Sequence, residues 1–263
     1  MSDLAWVDAH CHLQLEIGEA RFSPDDADAQ VERARAAGVE WMVCVGTGLE
    51  TSRQALDLAA GYPDVYATVG LHPHDASQLD AEWEALVALA DAERCVAIGE
   101  AGFDLHYERS PHAEQEVAFR RHIQLAKAVD RPLMIHSRNA WDETFRVLDD
   151  EGLPARTIFH CFTGGPEEAN AALARGCYLS FSGIVSFKNA EALREAARIT
   201  PANRILVETD SPFLAPEPFR GRQNEPALVV AVGAALAKAR GVEPEEIADL
   251  TRANAVRAFG VDR

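Results

Sequence analysis

Short apolar segments alternate along the chain with longer amphipathic segments rich in Ala, Glu and Arg. Several apolar segments, such as Trp41 to Val45, show no polar alternation, which is typical of strands buried on both faces of a parallel sheet. This pattern predicts eight strands, at residues 6–9, 41–46, 65–70, 96–99, 133–136, 157–160, 178–181 and 205–209.

The amphipathic segments between and after these strands predict helices. An early one begins near Ser23-Pro24-Asp25-Asp26, where Ser is a good N-cap and Pro suits the first turn, and ends at Gly38. The other predicted helices cover residues 114–129, 140–151, 167–175, 189–199, 226–240 and 244–259.

Eight strands that are each followed by a helix predict an α/β fold, a (β/α)8 TIM barrel, because parallel strands need helical crossovers and eight strands close around a packed interior. A doubly wound open sheet is the alternative. It is disfavoured because the first strand leads into Asp8-Ala9-His10-Cys11-His12 rather than into a Gly-rich phosphate loop. Without repeats, linkers or low-complexity segments, residues 1–263 are interpreted as a single domain.

Composition narrows the classes of function. The 263 residues include 42 acidic and 25 basic side chains, for a formal net charge of −17, which argues against a protein that coats nucleic acid. This charge does not exclude an enzyme that binds its own cations. Five scattered cysteines, no N-terminal export signal and no run of 18 apolar residues favour a cytoplasmic protein, expected to be a monomer without a membrane or obligate protein partner.

Six potential metal ligands follow or end predicted strands. A single His there is more often a buried structural residue, and a single Asp or Glu is more often a helix cap. The joint placement changes this interpretation, because the carboxyl ends of barrel strands meet at one rim. Neutral imidazoles and carboxylates clustered out of water are also costly without a cation. The six residues are His10, His12, Glu100, His136, His160 and Asp210.

Six protein ligands are more than one catalytic zinc needs, which predicts two divalent ions. We expect one ion on His10, His12 and Asp210, and the other on His136 and His160. Glu100 would bridge them, because strand 4 lies between the two groups around the rim. Such a pair activates water near neutral pH, and Asp210 is expected to orient or deprotonate that water, so that Asp210 and Glu100 are the predicted catalytic residues.

At these positions the sequence resembles the TatD family of metal-dependent deoxyribonucleases. The resemblance runs in order from residue 7 to about residue 226. It implies a TIM-barrel hydrolase of the amidohydrolase superfamily that cleaves DNA phosphodiester bonds, often from the 3′ end, with the six residues above as its metal ligands. The motifs are DAHCHL at 8–13, GLHPH at 70–74, AIGE at 97–100, PLMIHSR at 132–138, HCFTG at 160–164, ETDSP at 208–212 and RGRQNEP at 220–226.

One segment departs from the family pattern. The family usually continues after Glu100 with a run of the Gly-Leu-Asp-Tyr-Tyr type, whereas this chain has AGFDLHY at 101–107. The ligand is retained but the aromatic positions shift, so the substrate contacts of this loop do not carry over from the family.

Three further residues are candidates for binding substrate. His72 is expected to donate a hydrogen bond to a phosphate, with a structural turn residue as the alternative. Arg138 is expected to stabilise phosphoryl charge, with an ordinary salt bridge as the alternative. Arg222, like Arg220, would contact a nucleic-acid backbone or pin its loop to Glu225.

The remaining candidates have structural interpretations of equal or greater weight. Glu208 would accept a hydrogen bond from a ligand histidine or form a core ion pair. Cys11 and Cys161 are expected to pack away from the site, and three histidines without a pattern are expected to be structural. These are His106, His112 and His122.

The leading functional hypothesis is therefore a DNA phosphodiesterase, specifically a 3′–5′ exonuclease on single-stranded or frayed ends, using two divalent ions (Zn, Mn, Mg or Co). Its binding of DNA is expected to be weak and local. An amidohydrolase acting on an amide, lactone or phosphate ester is the alternative, although many such enzymes bridge their ions with a carboxylated lysine rather than with a residue such as Glu100. A non-catalytic scaffold would predict missing ligands.

Overall fold

Eight parallel strands pair in the order of the sequence, in a computed structural model that describes residues 4–15 and 27–262. The strands are β1 (Trp6–Cys11), β2 (Val39–Cys44), β3 (Val65–Val69), β4 (Cys95–Asp104), β5 (Leu133–Arg138), β6 (Thr157–Phe159), β7 (Tyr178–Phe181) and β8 (Ile205–Val207). Each is followed by at least one helix, as the alternating pattern predicts.

The helices lie between successive strands and at the end of the chain. They are α1 (Ala27–Ala36), α2 (Leu49–Gly61), α3 (Leu79–Leu89), α4 (His112–Ala128), α5 (Trp141–Glu151), α6 (Pro166–Ala174), α7 (Glu191–Ile199), α8 (Val229–Arg240) and α9 (Pro244–Phe259). Short 3-10 helices cover Pro73–Gln78, Gly183–Ser186, Ala202–Arg204 and Pro226–Leu228. None of the helices within the described residues is long and apolar enough to cross a membrane.

The first and last strands meet, which excludes the doubly wound alternative and forms the predicted (β/α)8 barrel. Cys11 and Ser211 form a parallel bridge, and the His12 N–H donates to the Ser211 carbonyl at 2.8 Å. The Asp210 N–H donates to the His10 carbonyl at 2.9 Å. The β1–β8 seam therefore joins the residues predicted to bind one metal ion.

Alternate residues of the strands pack in two separate buried clusters. Trp41 and Val43 belong to a cluster inside the barrel, whereas Met42 lies in the layer between strands and helices. The end of α9 joins the interior cluster, where Phe259 contacts Trp41 edge to face at 6.0 Å between ring centroids. The barrel is thus filled by side chains, and α9 packs against this interior.

Some element boundaries differ from the predictions. His10 lies within β1 and Glu100 within β4, rather than after these strands, because both strands continue further than the apolar runs. The predicted helix at 226–240 divides into a 3-10 turn and α8, while α2 and α3 were not individually predicted. The predicted cap at 23–26 lies outside the described residues.

Candidate metal centre

Glu100 lies at the middle of the six predicted ligands. Its Oε2 atom is 2.6 Å from His160 Nε2, 3.7 Å from His136 Nδ1 and 3.8 Å from His10 Nε2. Asp210 Oδ1 is 3.6 Å from the Nε2 atoms of both His10 and His12. The structure therefore brings together all six residues that the strand-end pattern selects.

The six residues do not separate into the two predicted ligand groups, one for each ion. His10 groups with His12 and Glu100, but also with His160 and Asp210, since the His10 and His160 rings stack at 3.9 Å. A third group combines Glu100, His136 and His72. The assignment of individual ligands to two ions thus stays a prediction.

Acceptors on the far side of two imidazoles orient the ring nitrogens that face Glu100 and Asp210. His12 Nδ1 lies 3.0 Å from the Val45 carbonyl, so it is the donor and Nε2 keeps its lone pair. His160 Nδ1 similarly faces a Glu208 carboxylate oxygen at 3.4 Å, which also accepts the Cys161 N–H. This pattern of outer acceptors is characteristic of histidines that bind metal.

The donor set fits a divalent cation. Glu100 Oε2 is buried and is surrounded by three imidazole nitrogens, of which His160 Nε2 lies within hydrogen-bond distance. Burial, assisted by the neighbouring His160, holds the pKa of His10 well below its usual range, so its imidazole is neutral. Burial alone would raise the pKa of Glu100, but His160 outweighs it and keeps the pKa well below its usual range. Glu100 in turn outweighs burial and holds the pKa of His160 well above its usual range, so a bound cation would take the place of that proton. A carboxylate among imidazoles is the donor set that Zn²⁺ and related ions bind.

Asp104 is a site residue that the sequence interpretation missed. It ends β4, and its Oδ2 atom is 3.5 Å from His136 Nε2 and 2.9 Å from His74 Nε2. Burial opposes ionisation of Asp104, but contacts with His136 and the N–H groups of Tyr107 and His106 keep its pKa well below normal. It thereby turns the Nδ1 atom of His136 toward Glu100. The sequence signal for Asp104 is its spacing: side chains on one face of a strand repeat every two residues, and Asp104 is four residues after Glu100.

Two buried polar side chains hold the Asp210 turn. Asp8 accepts hydrogen bonds from the Thr209 N–H at 2.8 Å and hydroxyl at 2.6 Å, and its complete burial raises its pKa to about 8. Asn224 donates to the Thr209 carbonyl at 2.8 Å and to the Phe213 carbonyl at 2.5 Å. These contacts give structural roles to Asp8 of the first motif and Asn224 of the last.

A cavity of about 380 Å³ opens beside the six residues. It is lined by Arg138, which is exposed and has no ion pair within the described residues, so the salt-bridge alternative is not observed. Arg222 does not line this cavity, and Arg220 stacks on Phe187 at 3.7 Å. Glu225 pairs with Arg33 at 2.6 Å rather than with either loop arginine.

His72 lies beside the centre with a donor directed toward it. Its Nδ1 atom accepts the His74 N–H at 3.1 Å, so the neutral ring carries its proton on Nε2, which is 3.8 Å from Glu100 Oε1. Burial keeps the pKa of His72 well below its usual range. This protonation suits a hydrogen-bond donor to substrate better than a further metal ligand.

The histidines predicted to be structural lie away from the six residues. His122 is buried, donates through Nδ1 to the Ala118 carbonyl at 2.7 Å and accepts the Leu71 N–H through Nε2 at 3.0 Å. The His112 ring contacts Phe103 and the His106 ring contacts Tyr107. Cys11 is buried, whereas Cys161 is partly exposed and lines the cavity, so only the first packs as expected.

A parallel barrel that gathers four histidines and two carboxylates at the carboxyl ends of its strands defines the class of metal-dependent barrel hydrolases. Within that class, the chain belongs to the TatD-related DNase family, whose model matches residues 7–260. This confirms the resemblance found in the sequence motifs.

Individual relatives are similar over nearly the whole chain. The uncharacterized metal-dependent hydrolase YabD of Bacillus subtilis is 40% identical, over 97% of this chain and 99% of its own length. The 3′-5′ ssDNA/RNA exonuclease TatD of Salmonella typhimurium is 39% identical, over 95% and 98% respectively. The crystal structure of the TatD homologue YJJV from Escherichia coli superimposes with a TM-score of 0.90, at 29% identity and 98% coverage of both chains.

Proposed function

We propose that the protein is a divalent-metal-dependent exonuclease that hydrolyses DNA phosphodiester bonds from the 3′ end of single-stranded or frayed strands. Family membership and a relative named as a 3′-5′ ssDNA/RNA exonuclease support this substrate class. The observation that carries the proposal is the convergence of four imidazoles on the carboxylates of Glu100 and Asp210 beside an open cavity.

In this proposal His10, His12 and Asp210 would hold one ion, and His136 and His160 would hold the other. Glu100 would be available to both, because it lies among the imidazoles of the two groups. Bound divalent ions would polarise the phosphoryl oxygen and lower the pKa of water. Histidine and carboxylate donors suit Zn, Mn and Co better than Mg.

Side chains of the protein then accept the proton of water and bind the phosphate. Asp210 lines the cavity and accepts the proton of the attacking water, while Asp8 and Asn224 keep its turn in position. His72 donates its Nε2 proton to a phosphate oxygen, and the unpaired guanidinium of Arg138 binds the same charge through its planar fork. Arg222 would contact the nucleic-acid backbone at a position farther from the reacting bond.

The test is cleavage of 3′- and 5′-labelled single-stranded DNA and RNA, alongside amide and lactone substrates, with Mg²⁺, Mn²⁺, Zn²⁺ or Co²⁺. We expect metal-stimulated release of nucleotides from the 3′ end, abolished by Glu100→Ala but retained by Glu93→Ala, which alters an exposed surface carboxylate. Amide or lactone turnover without nucleic-acid cleavage under any ion would overturn the proposal in favour of an amidohydrolase.

We also propose that the enzyme works as a monomer in the reducing cytoplasm. All five cysteines are free, and four of them are buried, which suits a compartment that keeps thiols reduced. Light scattering measures the oligomeric state directly, and a stable dimer would contradict this part of the proposal.

A further inference from the structure

Two exposed aromatic side chains lie at the two ends of a continuous row of histidine rings. We call this the histidine row: His74, His72, His136, His160, His10 and His12. Each ring contacts the next, with centroid separations between 3.9 and 5.4 Å. At one end Tyr107 contacts His74 at 5.6 Å, and at the other Phe213 contacts His12 at 6.3 Å.

The exposure of these two rings is unusual for this protein. Among the described residues, the exposed large apolar side chains are Val87, Tyr107, Val117, Ile199 and Phe213, so both of the aromatic ones flank the histidine row. Tyr107 is 52% exposed and Phe213 is 46% exposed. Each thus offers ring surface to solvent beside the proposed reaction centre.

Two arginines near Tyr107 carry positive charge that no carboxylate of the described residues pairs with. The guanidinium carbon of Arg138 is 4.7 Å from the ring centroid and that of Arg109 is 5.9 Å away. Neither arginine forms an ion pair within residues 27–262, although acidic side chains outnumber basic ones in the chain. An aromatic face beside two available cations is suited to a nucleobase and its phosphate.

Phe213 is held rigidly in the turn that follows Asp210. Its N–H donates to the Asp210 carbonyl at 2.9 Å, and its carbonyl accepts the Asn224 side chain at 2.5 Å. The backbone carrying the ring is therefore fixed relative to Asp210 before any substrate arrives.

We propose that Tyr107 and Phe213 are two base-stacking residues that bind the nucleobases on opposite sides of the reacting phosphodiester. This inference rests on the proposed function and specifies its substrate as an unpaired strand, because bases paired in a duplex cannot present their faces to side chains. Stacking tolerates every base, so the two residues select for single-strandedness rather than for sequence.

Binding is tested with a short single-stranded oligonucleotide that carries 2-aminopurine at or next to its 3′ end and phosphorothioate linkages that resist cleavage. Stacking on Tyr107 or Phe213 would quench the probe fluorescence on binding to the metal-loaded protein. Tyr107→Leu and Phe213→Leu should each remove quenching at one probe position, whereas Tyr107→Phe and Phe213→Tyr should restore it. Equal quenching in both Leu variants and the wild type would overturn the inference.

Cleavage separates this inference from the proposed function. With an ordinary oligonucleotide, each Leu variant should lose about 10-fold or more in kcat/KM, as expected for one lost stacking contact. With an abasic oligonucleotide of equal length, the loss should be much smaller, and the exposed-site control Val117→Ala should match wild type on both. Wild-type failure to cleave either strand would refute the proposed function, whereas equal losses on both strands would refute stacking alone.

Discussion

At the scale of single residues, the partner of the outer ring nitrogen distinguishes the histidines. His12 and His160 have acceptors there and turn Nε2 toward Asp210 and Glu100 respectively, whereas His72 accepts a backbone N–H and presents a proton. His122 has backbone partners on both nitrogens, which leaves neither available for a ligand. The same residue type thus serves as candidate ligand, donor and structural support.

His122 makes stability depend on pH below neutrality. Burial lowers its pKa from 6.5 to about 4, so between these values the unfolded chain binds a proton that the folded chain does not. Unfolding free energy should therefore fall as pH drops from about 6.5 to 4, with His122 contributing a loss of about 3 kcal/mol. Urea unfolding across this range measures the slope.

The matched variant is His122→Gln, whose amide can still accept the Leu71 N–H but does not titrate. Its unfolding free energy should fall less on acidification than that of the wild type. Parallel pH profiles for the two proteins would show that His122 does not carry this effect.

Residue positions that depend on strand periodicity were accessible from the sequence. The six predicted ligands were found because they end or follow apolar runs, and the structure gathers them. Asp104 and Asn224 were missed because their partners are set by packing: Asp104 contacts His136 across β4 and β5, and Asn224 reaches back to Thr209 from a loop. Arg222 does not line the cavity, and its neighbour Arg220 stacks on Phe187, so a contact of Arg222 with substrate stays a prediction.

At the scale of elements, the approach of β4 to β5 sets the position of His136. Gly102 pairs with His136 in the register, has φ of 147°, and a Cβ atom there would lie 2.0 Å from the His136 carbonyl oxygen. Only glycine permits this contact without displacing the backbone. The two strands can therefore carry Glu100, Asp104 and His136 within reach of one another.

Gly102→Ala should consequently lower the unfolding free energy by about 2–4 kcal/mol, because both φ strain and overpacking oppose it. It should also weaken metal binding by displacing His136. Denaturant unfolding and calorimetric titration with Zn²⁺ measure the two effects. Gly61→Ala, at the open end of α2, is the control and should change neither; an equally stable Gly102 variant would contradict this account.

Element order was predictable and element ends were less so. Apolar runs reveal the buried middle of each strand, so all eight strands were found in the correct order. They do not reveal polar ends such as Asp104 in β4, which pairs with Arg138 in the sheet while its side chain faces the site. The alternation of strands and helices implies a helix at α2 and at α3, although neither was individually predicted.

At the scale of the whole molecule, the net charge of −17 limits how nucleic acid can be held. Two bound divalent ions would leave about −13, so a long duplex gains little from counterion release at the general surface. We expect undetectable binding of metal-free protein to a long duplex at physiological salt, together with measurable binding of metal-loaded protein to short single strands. Fluorescence anisotropy compares them, and tight metal-independent duplex binding would contradict a local site.

The end of α9 closes one end of the barrel. Phe259 packs against Trp41 inside it, and side chains fill the space beneath Glu100, including Met134, whose sulphur lies 3.1 Å from His10 Nδ1. The described residues thus leave the interior of the barrel filled rather than open as a channel. Each released nucleotide would therefore leave through the same opening by which the strand enters. The rate at which successive nucleotides are removed would then depend on exchange at that opening and not on passage of the strand through the barrel.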